Sequence, residues 1–183
     1  MTYEDALSLM HEYVKNESLR KHMYAVEAAM RFYASKFGED EEKWAIAGLL
    51  HDFDFEQFPT IPEHTAKGAE ILRAQGWPEE IVVAIQGHAS YSGVPRTTRM
   101  AKTLYACDEL CGLIAAVAVI RPNKIMDLEI SSVKKKMKAA AFAKNISRED
   151  ILQGAGEIGI PLDDHIAAVI EAMKKDAKRL DLG

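Results

Sequence analysis

Along most of the chain apolar residues recur every three or four positions, the period of a helix that buries one face. The clearest stripe is Leu19, Met23, Val26, Met30, Tyr33 and Phe37. It predicts a long helix starting near Ser18 and closed by Gly38, a residue suited to a helix C-terminus. Thr2 is placed to cap a first helix reaching about Val14. A third is predicted from about Glu41 into His51, through the unbroken apolar run Trp44–Leu50. Pro59 and Pro62 then exclude a regular helix. Helical spacing resumes over Glu63–Gln75, closed by Gly76, and again from Pro78 to about Gly87-His88. After a loop with Gly93 and Pro95, a long helix is expected from about Thr98 to Val119, stopped by Arg121-Pro122-Asn123. Beyond it, "SSVKKKMKAAAFAKN" reads as a basic helix and "SREDILQGAGEIG" as a helix capped by Ser147. "PLDDHIAAVIEAMKKDAKRL" reads as an amphipathic helix with Ile166, Val169, Met173, Ala177 and Leu180 inward. Strand-like alternation is nowhere sustained, so the expected class is all-α, a compact helical bundle.

Composition narrows the setting. The 183 residues suffice for one domain with a substantial core, and 48% hydrophobic with 28% charged is ordinary for a globular protein. We expect a single domain over 1–183, with a C-terminal helical extension from about 121. The net charge of −5 gives no basic excess of the kind that marks a nucleic-acid partner. The opening "MTYEDALSLMHEY" does not read as a signal peptide, and "CGLIAAVAVI" is too short to span a bilayer. A cytoplasmic setting without a membrane is therefore expected. Cys107 and Cys111, one helical turn apart, read as small buried side chains. Lys134-Lys135-Lys136 reads as a solvated helix face. Oligomeric state is not legible.

Some polar residues fall where a core is expected. Four of the six histidines, with two aspartates, lie on or beside apolar helix faces. His22 lies between Leu19 and Val26, and His51-Asp52 ends an apolar helix. His64 shares a face with Gly68, Ile71 and Leu72, and His88 follows Ile81 and Ile85 on theirs. Asp108 sits among Ala101, Leu104, Cys111 and Ala115. A carboxylate in a buried stripe costs several kcal/mol, about 2–7 even for neutral polar groups, unless it is paired or bound to a metal. Imidazole with carboxylate suits divalent iron, manganese, zinc, cobalt or nickel; magnesium sites are richer in oxygen. His11 and His165 lie outside the pattern and read as surface or edge residues.

His22, then His51-Asp52, then Asp108 resemble the H…HD…D signature of the HD superfamily of metal-dependent phosphohydrolases. The likeness covers most of 18–120, in segments such as "LRKHMYAVEAAM", "AGLLHDFDFEQF" and "AKTLYACDELCGLI". It implies a bundle of HD-domain type with metal at its centre. His22, His51, Asp52 and Asp108 would hold a first ion. His64 and His88 match the intermediate histidines of binuclear branches, where Asp52 would bridge both ions. Asp54 departs from the branch that has Gly there, and the G-Y-P signature of the cyclic-di-GMP branch is absent.

The implied chemistry is hydrolysis of a phosphoester or phosphoanhydride, with a nucleotide or other small phosphorylated molecule as substrate. A bound cation lowers the pKa of its water from about 15.7 toward 7, and two ions about 3.5–4 Å apart can hold the attacking water and a phosphoryl oxygen in line. Asp52 and His51 would carry the catalytic ion. Lys67, one turn from His64, is the first candidate to meet phosphate charge; Arg20, Arg96, Arg99 and Lys102 follow. The rival expectation is a non-catalytic HD-fold binding or regulatory protein.

Overall fold

The computed structural model describes residues 1–183 as nine α-helices with no strand. At its centre lies α3 (Glu41–Leu50), in which every residue from Trp44 to Leu50 is buried. A helix that is apolar all round must be covered all round. Three helices do this: α1 (Tyr3–Tyr13), α2 (Glu17–Phe37) and α5 (Glu79–Gly87). The long α6 (Arg99–Val119) packs on α2 and α5, while α4 (Glu63–Ala74) lies against α5. After the family-like portion come α7 (Ile130–Met137), α8 (Arg148–Glu157) and α9 (Leu162–Lys175). They are not appended loosely: α8 packs on α6, and α9 packs on α2. One buried apolar cluster runs from Ala6 to Leu182 and joins all these layers.

Local chemistry sets most boundaries. Thr2 and Asp5 form a reciprocal capping box at the start of α1. Asn16 caps α2, whose first residue Glu17 is one ahead of the expected start, and Gly38 ends it at φ 70°. Asp40, Thr98 and Ser147 cap α3, α6 and α8. Pro78 precedes α5 rather than forming its first turn. Cys107 and Cys111 are both buried. No helix is long and apolar enough to cross a membrane.

Two expectations need correction. The alanine-rich stretch after the lysines is not helical: α7 stops at Met137 and the chain turns through Ala143, which has φ 45°. The cause is Arg148, whose guanidinium donates to the carbonyls of Ala143 (2.6 Å), Ile146 (2.7 Å) and Phe142. Three charge-assisted bonds to a turn outweigh the helix propensity of alanine, a preference worth under about 1 kcal/mol per residue. The second correction is His165, which is wholly buried on α9. Its Nε2 donates to the Ala106 carbonyl (2.9 Å) and its Nδ1 meets the Tyr33 hydroxyl (2.6 Å). A core histidine with both nitrogens satisfied leaves no mark in helical periodicity.

Candidate metal centre

The six metal-capable residues come from α2, the end of α3, the start of α4, the end of α5 and the middle of α6. Four imidazoles present Nε2 to two carboxylates. His22 Nε2 is 3.0 Å from Asp108 Oδ1 and 3.1 Å from His51 Nε2. His51 Nε2 lies 3.4 Å from Asp52 Oδ2 and 3.5 Å from Asp108 Oδ1. On the other side of Asp52, Oδ1 is 3.2 Å from His64 Nε2 and 3.3 Å from His88 Nε2. Asp52 thus turns one oxygen to each half of the cluster. Two overlapping sets, His22–His51–Asp108 and His51–Asp52–His88, each have ligand atoms within 4.8 Å of one another.

The tautomers make this more than a polar cluster. His51 Nδ1 lies 2.8 Å from the Gly48 carbonyl, and His88 Nδ1 lies 2.6 Å from that of Ile85. A carbonyl only accepts, so each Nδ1 must carry the proton. His64 Nδ1 is likewise held by the Asp54 carboxylate at 2.8 Å. In their neutral forms, all three rings then aim an Nε2 lone pair at carboxylate oxygens. Acceptors facing acceptors repel unless a cation, proton or metal, sits among them. The donor set therefore fits a divalent ion, with the outer hydrogen bonds that orient metal-ligating histidines already in place.

Electrostatics follow the same geometry. Burial opposes charge on His51, but Asp52 and Asp108 outweigh it and raise its pKa well above the usual imidazole value. Burial likewise opposes ionisation of Asp52 and Asp108, yet the surrounding imidazoles hold both carboxyls well below the usual range. His64 is pushed up to about 9: burial works against its charge, and Asp52 and Asp54 reverse that.

Residue placement has local causes. After Leu50 the helix gives way to turns, so successive side chains diverge: His51 to the cluster, Phe53 into the core, Phe55 to the outside. Asp54 is fully buried. Besides holding His64, it accepts from the Gly68 backbone N–H at 2.9 Å, and a Cβ at Gly68 would sit 2.8 Å from its carboxyl. Sequence reasoning treated Asp54 only as a departure from a signature; its apolar neighbours Phe53 and Phe55 were the available signal. His64 itself has ψ 136°, so it precedes the regular helix rather than sharing its face.

That backbone also corrects the reading of Lys67. An i, i+3 relation to His64 requires helix at both positions. Lys67 is instead half-exposed and paired with Glu70 at 2.8 Å. The other expected phosphate contacts are also engaged elsewhere. Arg20 bonds Glu17 and the Val14 carbonyl; Arg96 bonds Glu157 and lies 3.6 Å from the Tyr105 ring centre. Arg99 pairs with Glu39, and Lys102 lies in a separate groove beside it. None of the five lines the cavity over the cluster. That cavity, about 400 Å³, is walled by Phe55, Tyr91, Tyr105, Glu109, Ile146 and Asp150 among others. Burial and the neighbouring Asp108 push Glu109 up to about 7.

The HD domain family matches residues 19–113. Ribonuclease Y of Lawsonia intracellularis is 28% identical over 151 residues, 80% of this chain but 28% of that protein. An uncharacterized protein of Methanocaldococcus jannaschii is 34% identical over 92 residues, 48% of this chain and 54% of the relative. The chain thus spans about a quarter to a half of these relatives. No solved structure matches it.

Proposed function

The chain belongs to the HD-domain family, a family of metal-dependent phosphohydrolases, and from that premise we propose that it hydrolyses a phosphoester or phosphoanhydride of a small phosphorylated molecule, using two divalent ions. The convergence of His51, His64 and His88 Nε2 on the two oxygens of Asp52 carries the reading. His22, His51, Asp52 and Asp108 would hold one ion; Asp52, His64 and His88 would hold the other. Four imidazoles favour iron, manganese, zinc, cobalt or nickel over magnesium. When bound, such ions supply Lewis acidity and activate water. The chain's residues do the rest: Gly48, Ile85 and Asp54 fix the ring orientations, and Phe55 and Tyr91 flank the entrance to the cavity.

Likeness to a ribonuclease favours a second reading, cleavage of RNA. An RNA-binding surface needs cations along the phosphate backbone, and the cavity wall has no Lys or Arg. Elemental analysis of the purified protein, with hydrolysis assays on phosphomonoesters, cyclic nucleotides, nucleoside polyphosphates and a short RNA, tests both. We expect two transition-metal ions per chain and chelator-sensitive release of phosphate from a small ester. A metal-free protein inert after loading with manganese would overturn the proposal, and cleavage of RNA alone would replace it.

A further inference from the structure

The cavity is charged in an unexpected sense for a phosphate site. All its cationic capacity lies at the cluster. The rest of the wall offers no cation: it presents the carboxylates Glu109 and Asp150, the hydroxyls of Ser90, Tyr91 and Tyr105, and the Phe55 ring. Glu109 Oε2 takes the Ser147 N–H at 3.2 Å, and Asp150 Oδ1 takes the Tyr105 hydroxyl at 3.0 Å. The second oxygen of each carboxylate makes no bond within the protein, and both residues are only partly buried. Asp150 and Ile146 lie beyond the matched residues 19–113, so the C-terminal portion builds this side of the cavity. Its placement is close-packed: a Cβ at Gly154 would meet Ala106 Cα at 2.6 Å, so the glycine lets α8 lie against α6.

Resting on the hydrolase reading above, we propose that Glu109 and Asp150 form an acceptor shelf that selects a phosphomonoester whose alcohol portion carries neighbouring hydroxyl donors, as in a polyol or a ribose diol. One phosphoryl group is all the cluster can neutralise. Further phosphoryl groups would face the two shelf carboxylates with no cationic side chain to offset them. Vicinal hydroxyls are the complementary partners, because each can donate to a carboxylate oxygen that no group of the protein fills. The aromatic faces of Tyr91 and Phe55 at the mouth leave room for a flat substituent on such an alcohol.

Calorimetric titration of the full chain loaded with manganese tests this with three probes: ribose 5-phosphate, phenyl phosphate and adenosine triphosphate. Ribose 5-phosphate should bind at least tenfold more tightly than either of the others. In Glu109→Gln and in Asp150→Asn the ratio of phenyl phosphate to ribose 5-phosphate dissociation constants should shrink to within about threefold. General damage would weaken both probes together and keep the ratio, which overturns the shelf. Adenosine triphosphate binding as tightly as ribose 5-phosphate to the unmodified chain also overturns it, with no variant needed. The binding order is separable from catalysis. If the order holds but no ester is hydrolysed, the hydrolase reading fails alone; if esters are hydrolysed with the order reversed, the shelf fails alone.

Discussion

Two regions of the molecule bury carboxylates, and they handle them in opposite ways. Glu27, on α2, is almost wholly buried at the floor of a surface groove of about 710 Å³, larger than the cavity over the histidine cluster. It receives Arg31 Nε at 3.0 Å, Arg179 Nη1 at 3.0 Å and the Tyr3 hydroxyl at 3.0 Å. Permanent cations and a donor answer its charge within the chain. Asp52 and Asp108 have no arginine or lysine partner; imidazoles that titrate surround them. A carboxylate balanced by guanidinium is part of the scaffold, whatever the size of the groove above it. A pair faced only by imidazole lone pairs calls for a cation among them and could hold an ion. Volume alone points to the groove over Glu27; the identity of the counter-charge points to the cluster.

The sharpest way to break this comparison is to remove the bridging carboxylate. Asp52→Ala should lose both ions and lower turnover by about a thousandfold or more, since charge stabilisation at the reacting group is lost. Metal content measured on the same preparation checks it. The unmodified protein should also melt at a lower temperature in chelator, whereas Asp52→Ala should not respond. Full metal occupancy in Asp52→Ala would remove the distinction between the regions.

Glu27→Ala is the counterpart. It leaves two guanidinium groups without their partner, and breaking a buried pair costs about 3 kcal/mol. For a chain of this size that is roughly 6–12 °C in melting temperature. Metal content should stay at the unmodified level. Thermal melts beside elemental analysis check both halves, and a loss of metal with little change in melting would reverse the roles assigned here.

Asp54 joins the two modes, for it is a buried carboxylate that would serve an ion through another residue, His64. It fixes His64, so Asp54→Ala should weaken metal binding by about 10- to 100-fold, the usual cost of losing such a partner. Titration with manganese should show one tight and one weakened site. Two equally weakened sites would mean that Asp54 supports the whole cluster and not His64 alone.

How much of this was legible beforehand differs between the two regions. The clustering of these side chains was readable because His22, His51, His88 and Asp108 interrupt apolar stripes on helices, where a polar residue conflicts with its neighbours. The helix ends were readable from Thr2, Gly38 and Ser147, whose caps are local. Lys67 misled because helical spacing was extended one residue too far, across His64, whose backbone is extended. Asp54 escaped notice because His64 and Gly68 lie 10 and 14 positions away; Glu27 has Arg31 one turn on, but Tyr3 and Arg179 lie 24 and 152 positions away. The turn after Met137 escaped for another reason: Arg148 holds it from two to six positions downstream, through backbone carbonyls that side-chain periodicity does not register. Local chemistry writes itself into spacing, whereas a partner brought by the fold does not.

His165 gives the smallest effect and extends the comparison to imidazoles. Its Nε2 must donate to the Ala106 carbonyl, so in the neutral ring Nδ1 accepts from the Tyr33 hydroxyl. Both nitrogens are thus satisfied without an ion. Burial, aided by Lys36, lowers its pKa below the ordinary value, despite the opposing Ala106 carbonyl. Below about pH 6.5 the unfolded chain protonates this residue while the folded chain does not. The unfolded state then holds more protons, so stability falls as pH falls, by at most about 1.4 kcal/mol per pH unit. Above that value the contribution is flat. His165→Gln should therefore reduce the loss of stability between pH 6.5 and 5, without changing metal content. Urea unfolding of both proteins from pH 5 to 8, in the presence of chelator, reads the difference. Chelator matters because the cluster histidines run the other way: carboxylates raise His51 and His64, so their charged forms stabilise the ion-free fold at low pH. Subtracting the variant's profile from the parent's cancels that shared rise and leaves the acid slope of His165. A flat difference would mean that this ring is protonated in the folded chain, and that burial alone does not separate scaffold imidazoles from ligands.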